Sequence, residues 1–320
     1  MPSPRSLAES SKAVPIMELK CLATFHLDFI PYCLTHCSIP GLSNEEVEEN
    51  ILLLSGSDDL IHGFRKKFSS NDFYELEDDQ MINAFPECAN LTQSPVTAMS
   101  FVYHDLKRVI HRWSVLGCQD GQLQVFQVDP IKRELLMSFE DLEFAGIGGI
   151  HQAKFFSTPR LPDSDNSILN LMVAPSFERS ALYLDIATQF QIEKETQRLE
   201  CSSDFDSVNA CAILDIDGDN YPEIILGTYG QELIVYKVSN EDQNVASNIA
   251  KDILPSWTLL TRQTFPFPIL AVNGWKNPKA PSPRQENVSA NSVLAVTTIK
   301  AVHILEYDRK NANLREHTSQ

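Results

Sequence analysis

Residues 215–223 read Asp215-Ile216-Asp217-Gly218-Asp219-Asn220-Tyr221-Pro222-Glu223. Carboxylates stand at relative positions 1, 3, 5 and 9 of this segment. A loop that turns alternate residues inward brings Asp215, Asp217, Asp219 and Glu223 onto one centre, and Tyr221 can add its backbone carbonyl. Oxygen-only, carboxylate-rich coordination suits a hard cation, calcium before magnesium. Without a cation, four clustered carboxylates repel and raise one another's pKa values. The helical calcium loop needs about twelve residues and a helix after its last Glu. Here the apolar run Ile224–Leu226 follows at once, so the expected site is a loop between β-strands. It would hold one structural calcium ion and perform no chemistry. The competing reading is a plain acidic Asp-Gly turn between strands.

Other chemistry-bearing residues form weaker patterns. Cys33 and Cys37, with His36 and His26 nearby, have zinc-ligand types but lack a second ligand pair at defined spacing, so they read as buried strand cysteines. Gly146-Ile147-Gly148-Gly149 lacks the full dinucleotide fingerprint, and no helical pattern follows it. His104, His111 and His151 have no nucleophile or acid partner in register, and there is no phosphate-binding loop, nucleophile elbow or His-Glu-x-x-His. The short basic clusters at 65–67 and 107–112 read as solvated faces. No catalytic constellation emerges, so the expectation is a non-enzyme.

The elements that would position the acidic loop recur along the chain. Five segments share one grammar, an apolar run, a polar turn and a second run: 51–64, 115–128, 171–185, 224–236 and 293–305. Each reads as a β-hairpin. The starts are separated by 64, 56, 53 and 69 residues. A further strand-like segment precedes each hairpin: Pro31–Ile39, Val96–Tyr103, Gly149–Phe156, Val208–Leu214 and Phe267–Val272. Within the fourth, Val208, Ala210, Ala212 and Leu214 fall on one face and Asn209, Cys211 and Ile213 on the other. An inner strand, a hairpin and an edge strand make a four-stranded blade. Blades run about 40–50 residues, so the longer steps imply extended loops. The predicted class is all-β, a β-propeller of about five blades near 31–64, 96–128, 149–185, 208–237 and 267–307. A β-sandwich of the same hairpins is the alternative architecture.

Bulk composition narrows the partners. A formal net charge of −17 over 320 residues argues against nucleic acid, which needs clustered Lys and Arg, and against docking on an anionic membrane. The opening MPSPRSLAESSKAVPIMELK has no apolar signal region, and no run of 18 apolar residues exists to span a bilayer. Seven cysteines at irregular spacing point to reduced thiols and a cytoplasmic location, which makes the glycosylation patterns at Asn90 and Asn287 chance matches. Residues 1–19 are Ser/Pro-rich and expected to be disordered. The expected propeller runs over 20–308, with a polar loop at 277–291 and a polar tail at 309–320.

The segment DFDSVNACAILDIDGDNYPEIILGTYGQELIVYK (Asp204–Lys237) resembles the kaptin family. So do LLLSGSDDLIHGF, NAFPECANLT, SVLGCQDGQLQVFQVD and KAVHILEY, in the same order. The resemblance covers roughly Leu22 to Tyr307. The acidic loop alone points only to the FG-GAP repeat of integrin-α-type propellers. Kaptin similarity implies a β-propeller subunit of the KICSTOR complex, paired with a second FG-GAP-type propeller protein. That complex positions GATOR at the lysosome and restrains TOR kinase signalling when amino acids or glucose are scarce. It also implies association with filamentous actin at actin-rich cell edges. A calcium-dependent propeller enzyme or lectin is the remaining alternative. The family carries more propeller sequence ahead of the first repeat, so five blades would be part of an incomplete seven-bladed ring, short at its N-terminus. The family also has a second Asp/Gly-rich loop in its last blade. Here Val272-Asn273-Gly274-Trp275 stands there without carboxylates.

Overall fold

The computed structural model describes residues 21, 24–40, 49–67, 72–90, 94–106, 108–159, 167–188, 196–239, 255–276, 292–308 and 313–316. The expected disordered segment 1–19 and the loop 277–291 lie outside them. The described residues fold as five four-stranded sheets, each in chain order and antiparallel throughout. The chain is an all-β propeller. Blade 1 comprises β1 (Pro31–Ile39), β2 (Glu49–Gly56), β3 (Ile61–Lys66) and β4 (Phe73–Glu75). Blade 2 comprises β5 (Val96–Leu106), β6 (Val109–Cys118), β7 (Leu123–Asp129) and β8 (Glu134–Asp141). Blade 3 comprises β9 (Ile150–Pro159), β10 (Ser167–Pro175), β11 (Ala181–Tyr183) and β12 (Thr196–Arg198). Blade 4 comprises β13 (Val208–Leu214), β14 (Glu223–Thr228), β15 (Glu232–Val238) and β16 (Trp257–Thr264). Blade 5 comprises β17 (Ile269–Lys276), β18 (Ser292–Thr298), β19 (Val302–Asp308) and β20 (Asn313–Glu316). One short helix, α1 (Asp78–Ala84), and a 3-10 turn at Pro86–Asn90 link blades 1 and 2.

Side-chain period explains how the blades stack. In β6, β10 and β14 the apolar runs are buried on both faces, as expected for a sheet sandwiched between two others. Val115 faces one neighbour and Leu116 the other, each in a different apolar cluster. Four such clusters join blades 1–2, 2–3, 3–4 and 4–5. Each fully buried Val or Leu contributes about 1.5–3 kcal/mol. Among the described residues no fifth cluster joins blade 5 to blade 1. In β2, correspondingly, burial alternates: Ile51 and Leu53 are buried while Leu52 and Leu54 are half-exposed. Leu34 beside them is 67 % exposed, and Trp275 in blade 5 is 47 % exposed.

Two sequence expectations change. Every inner strand shows a register shift that leaves its second residue out of the pairing: Tyr32, Thr97, His151, Asn209 and Leu270. A bulge flips the residue before it to the other face. Val208 therefore packs with Cys211 toward blade 3, while Ala210 and Ala212 face blade 5. Secondly, part of the expected polar tail is a strand. β20 pairs with β19 and buries Leu314 in the blade 4–5 cluster, because this one apolar residue sits opposite Tyr307.

Candidate metal centre at the junction of blades 4 and 5

The acidic loop is the turn between β13 and β14. Asp215 organises it from within. Its Oδ1 accepts the N–H groups of Gly218 (2.5 Å) and Asp219 (3.2 Å), and its Oδ2 that of Asn220 (3.1 Å). Gly218 and Asn220 adopt positive φ, 77° and 73°, where Gly and Asn carry the least steric penalty. Asp217 Oδ1 accepts from Asp219 N–H at 3.2 Å, and Asp219 Oδ1 accepts from Tyr221 N–H at 2.8 Å. Blade 5 closes over the loop: Ser292 Oγ donates to Asp215 O at 2.7 Å. On the other flank Trp257 Nε1 donates to Pro222 O at 3.2 Å.

Asp215, Asp217 and Glu223 each place one oxygen within 4.8 Å of the others. Among the described residues this is the one group of three or more His, Cys, Asp or Glu side chains so gathered. Asp219 turns instead to a cation that sequence reasoning missed, Lys237 on β15. The Lys237 ammonium bonds Asp217 Oδ2 and, at 2.8 Å, Asp219 Oδ2. It also lies 3.8 Å from Glu223 Oε1. Tyr221, expected to offer its carbonyl, is recorded in the loop's bonding through its N–H. The missing signal was register. β14 and β15 pair Ile224 with Tyr236, which sets Lys237 across from Glu223.

Electrostatics follow from burial. Glu223 is 0 % exposed, its Oε2 accepts Ile216 N–H at 2.8 Å, and its Oε1 has no hydrogen-bond partner. Burial, with repulsion from Asp217, pushes its pKa up to about 8. Burial also raises Asp217, although Lys237 pulls the other way. Burial opposes the charge on Lys237, but its bonds to Asp217 and Asp219 outweigh that and hold it above the usual range. The arrangement is a partly neutralised carboxylate cage whose oxygens suit a cation.

The other sequence candidates resolve as structure. Cys33 and Cys37 pack in the blade 1–2 cluster, and burial pushes the Cys37 thiol up to about 11. His36 lies on the opposite, exposed side of β1. The glycines at 146–149 serve a tight junction: Gly146 N–H donates to Asp120 O, and Gly149 O accepts from Ser176. Arg112, read from sequence as part of a solvated basic cluster, is 2 % exposed and paired with Glu87 at 2.8 Å.

A family profile described as "KICSTOR complex protein kaptin" matches residues 8–317. The chain belongs to the kaptin family. The mouse (Mus musculus) KICSTOR complex protein kaptin is 28 % identical over 291 residues, covering 90 % of this chain. The kaptin-family chain described here spans 60 % of that relative's length. Among solved structures, Saccharomyces cerevisiae Sqt1 aligns with a TM-score of 0.51 and 9 % identity, covering 89 % of this chain and 60 % of that one. A chain of Chaetomium thermophilum Polycomb Repressive Complex 2 aligns with a TM-score of 0.51 and 10 % identity, covering 91 % and 55 %. These two likenesses concern the fold. Among the described residues no helix is long and apolar enough to cross a membrane.

Proposed function

We propose that this chain is a non-catalytic scaffold subunit of a KICSTOR-like complex that negatively regulates amino-acid- and glucose-dependent TOR signalling. In this reading it helps position GATOR at the lysosome and contacts a second FG-GAP-type propeller directly. The observation that carries the reading is the kaptin-family match over residues 8–317. Blade geometry supports it. Leu34 of blade 1 and Trp275 of blade 5 are exposed among the described residues, and apolar surface of this kind supports association, with further blades of the ring or with a partner protein. Loops and edges on a rigid β-scaffold are suited to recognition.

The test is depletion of the protein in cells followed by amino-acid withdrawal. Persistent phosphorylation of TOR-kinase substrates is expected, with co-purification of the partner propeller and, through it, GATOR. Normal loss of phosphorylation would sink the regulatory role. Co-pelleting with filamentous actin, without any KICSTOR subunit, would move the assignment to a cytoskeletal protein.

A further inference from the structure

We propose that Asp215, Asp217, Asp219 and Glu223 form a calcium site whose affinity is set by Lys237, the internal cation that calcium must displace. The inference stands apart from the complex proposed above. Two observations carry it. One is the convergence of Asp215, Asp217 and Glu223, with an oxygen of each within 4.8 Å of the others. The other is Glu223 Oε1, fully buried, without a hydrogen-bond partner and aimed at the cluster. A buried carboxylate oxygen left without a donor is costly, and a cation at the centre of the cage would satisfy it. Lys237 does so only in part, because its ammonium stands 3.8 Å away, beyond hydrogen-bond reach.

The charges explain the competition. Three of the four carboxyl groups, those of Asp217, Asp219 and Glu223, lie within 3.8 Å of one ammonium. Its bonds to Asp217 and Asp219 spend two oxygens that a calcium ion would use. Calcium takes six to eight oxygens at about 2.3–2.6 Å, so Asp219 must turn from Lys237 toward the ion. The long lysine stem allows the ammonium to swing outward. With Lys237 in place the loop holds together without metal, and calcium gains only the difference between the two cations. With an uncharged residue there, the cage keeps its carboxylates and loses its competitor. The oxygen set favours calcium over softer ions.

The experiment uses the full chain, calcium chloride against a chelator, and thermal unfolding with isothermal titration. Wild type should show a small rise in midpoint with calcium. Lys237→Met should be destabilised in chelator, and calcium should restore it, with affinity about tenfold or more tighter than wild type. If Lys237→Met fails to fold in chelator, recovery of its folding by calcium is the readout. The double variant Lys237→Met/Asp217→Asn should lose most of the response. Lack of any calcium effect on Lys237→Met would overturn the proposal, as would an equal response to magnesium alone or an undiminished response in the double variant.

Discussion

Replacing Arg112 by Met tests whether a buried ion pair braces the blade 1–2 junction. Arg112 Nη2 donates to Glu87 Oε2 at 2.8 Å and to Ala84 O at 3.0 Å, and its guanidinium lies 4.6 Å from the Phe85 ring centroid. Ser114 Oγ donates to Glu87 Oε1 at 2.6 Å. The pair thus pins α1 and the 3-10 turn to β6. A bond to a charged group is worth about 1.5–3 kcal/mol. Met preserves much of the volume but leaves Glu87, 1 % exposed, as an unpaired charge in the interior. Stranding one partner of a buried pair costs about 3–5 kcal/mol. Removing both charges with Arg112→Met/Glu87→Gln should recover at least half, since Gln still accepts from Ser114. Urea unfolding followed by tryptophan fluorescence checks this, with fully buried Trp113, the next residue on β6, reporting on blade 2 from the blade 2–3 cluster. A loss under about 1 kcal/mol in the single variant, or a double variant no better than the single, would refute the brace.

Gly227→Ala and Gly117→Ala should each destabilise by about 1–3 kcal/mol in the same assay. A Cβ on Gly227 would meet Ile269 Cγ2 at 2.5 Å, and one on Gly117 would meet Ile150 Cγ2 at 2.5 Å. Burial holds the His104 pKa below its ordinary value, although Asp105 and Asp185 oppose the shift. The unfolded chain therefore takes up this proton first as pH falls through about 6.5, and stability declines below that value. Comparing wild type with His104→Gln at pH 7.5 and 5.5 should show the variant losing less; an identical loss would exclude His104 as a contributor. Burial pushes Cys37 up to about 11 and Cys211 up to about 12, so a thiol reagent at pH 8 should label exposed Cys21 first and these two only on unfolding. Fast labelling of Cys211 in the native protein would contradict its burial.

The sequence revealed most where a strand is long and patterned. Each apolar hairpin run overlaps an observed strand, with Leu60, Leu184, Asp185 and Ala301 lying just outside β3, β11 and β19, and the five inner strands begin within about two residues of the predicted places. The outer strands were hard to see for a physical reason. β4 and β12 have three residues each and β20 has four, too few to display a period. β8 exposes Leu135, Leu136 and Met137 in succession, so no alternation marks it. Arg112 was misread because nothing in a linear chain shows that Glu87, 25 positions earlier, folds against it. The acidic loop was visible by spacing, whereas Lys237 required the β14–β15 register.

The repeat that sequence comparison hides lies in how one blade grips the next. At the start of the inner strands, Ser55 Oγ donates to Val96 O at 2.6 Å and Thr97 Oγ1 to Ile150 O at 2.6 Å. Gln152 Nε2 donates to Asn209 O at 3.0 Å, and Asn209 Nδ2 to Ile269 O at 3.3 Å. Each acceptor is a backbone carbonyl, which any residue supplies, and the donors need only be short polar side chains or an amide. The grip can therefore persist while its residues change, unlike a motif read from side chains at both ends. Thr97 and Asn209 are the bulge residues of their strands, Gln152 follows the bulge of β9, and Ser55 lies on β2; in blade 5 the bulge residue is Leu270, exposed and without a polar side-chain atom. Among the described residues, the blade 4–5 junction adds the acidic loop, through Ser292 Oγ on Asp215 O. Because Ser292 of blade 5 bonds Asp215 of the loop, a cation that tightens the loop is expected to tighten blade 5, which carries exposed Trp275.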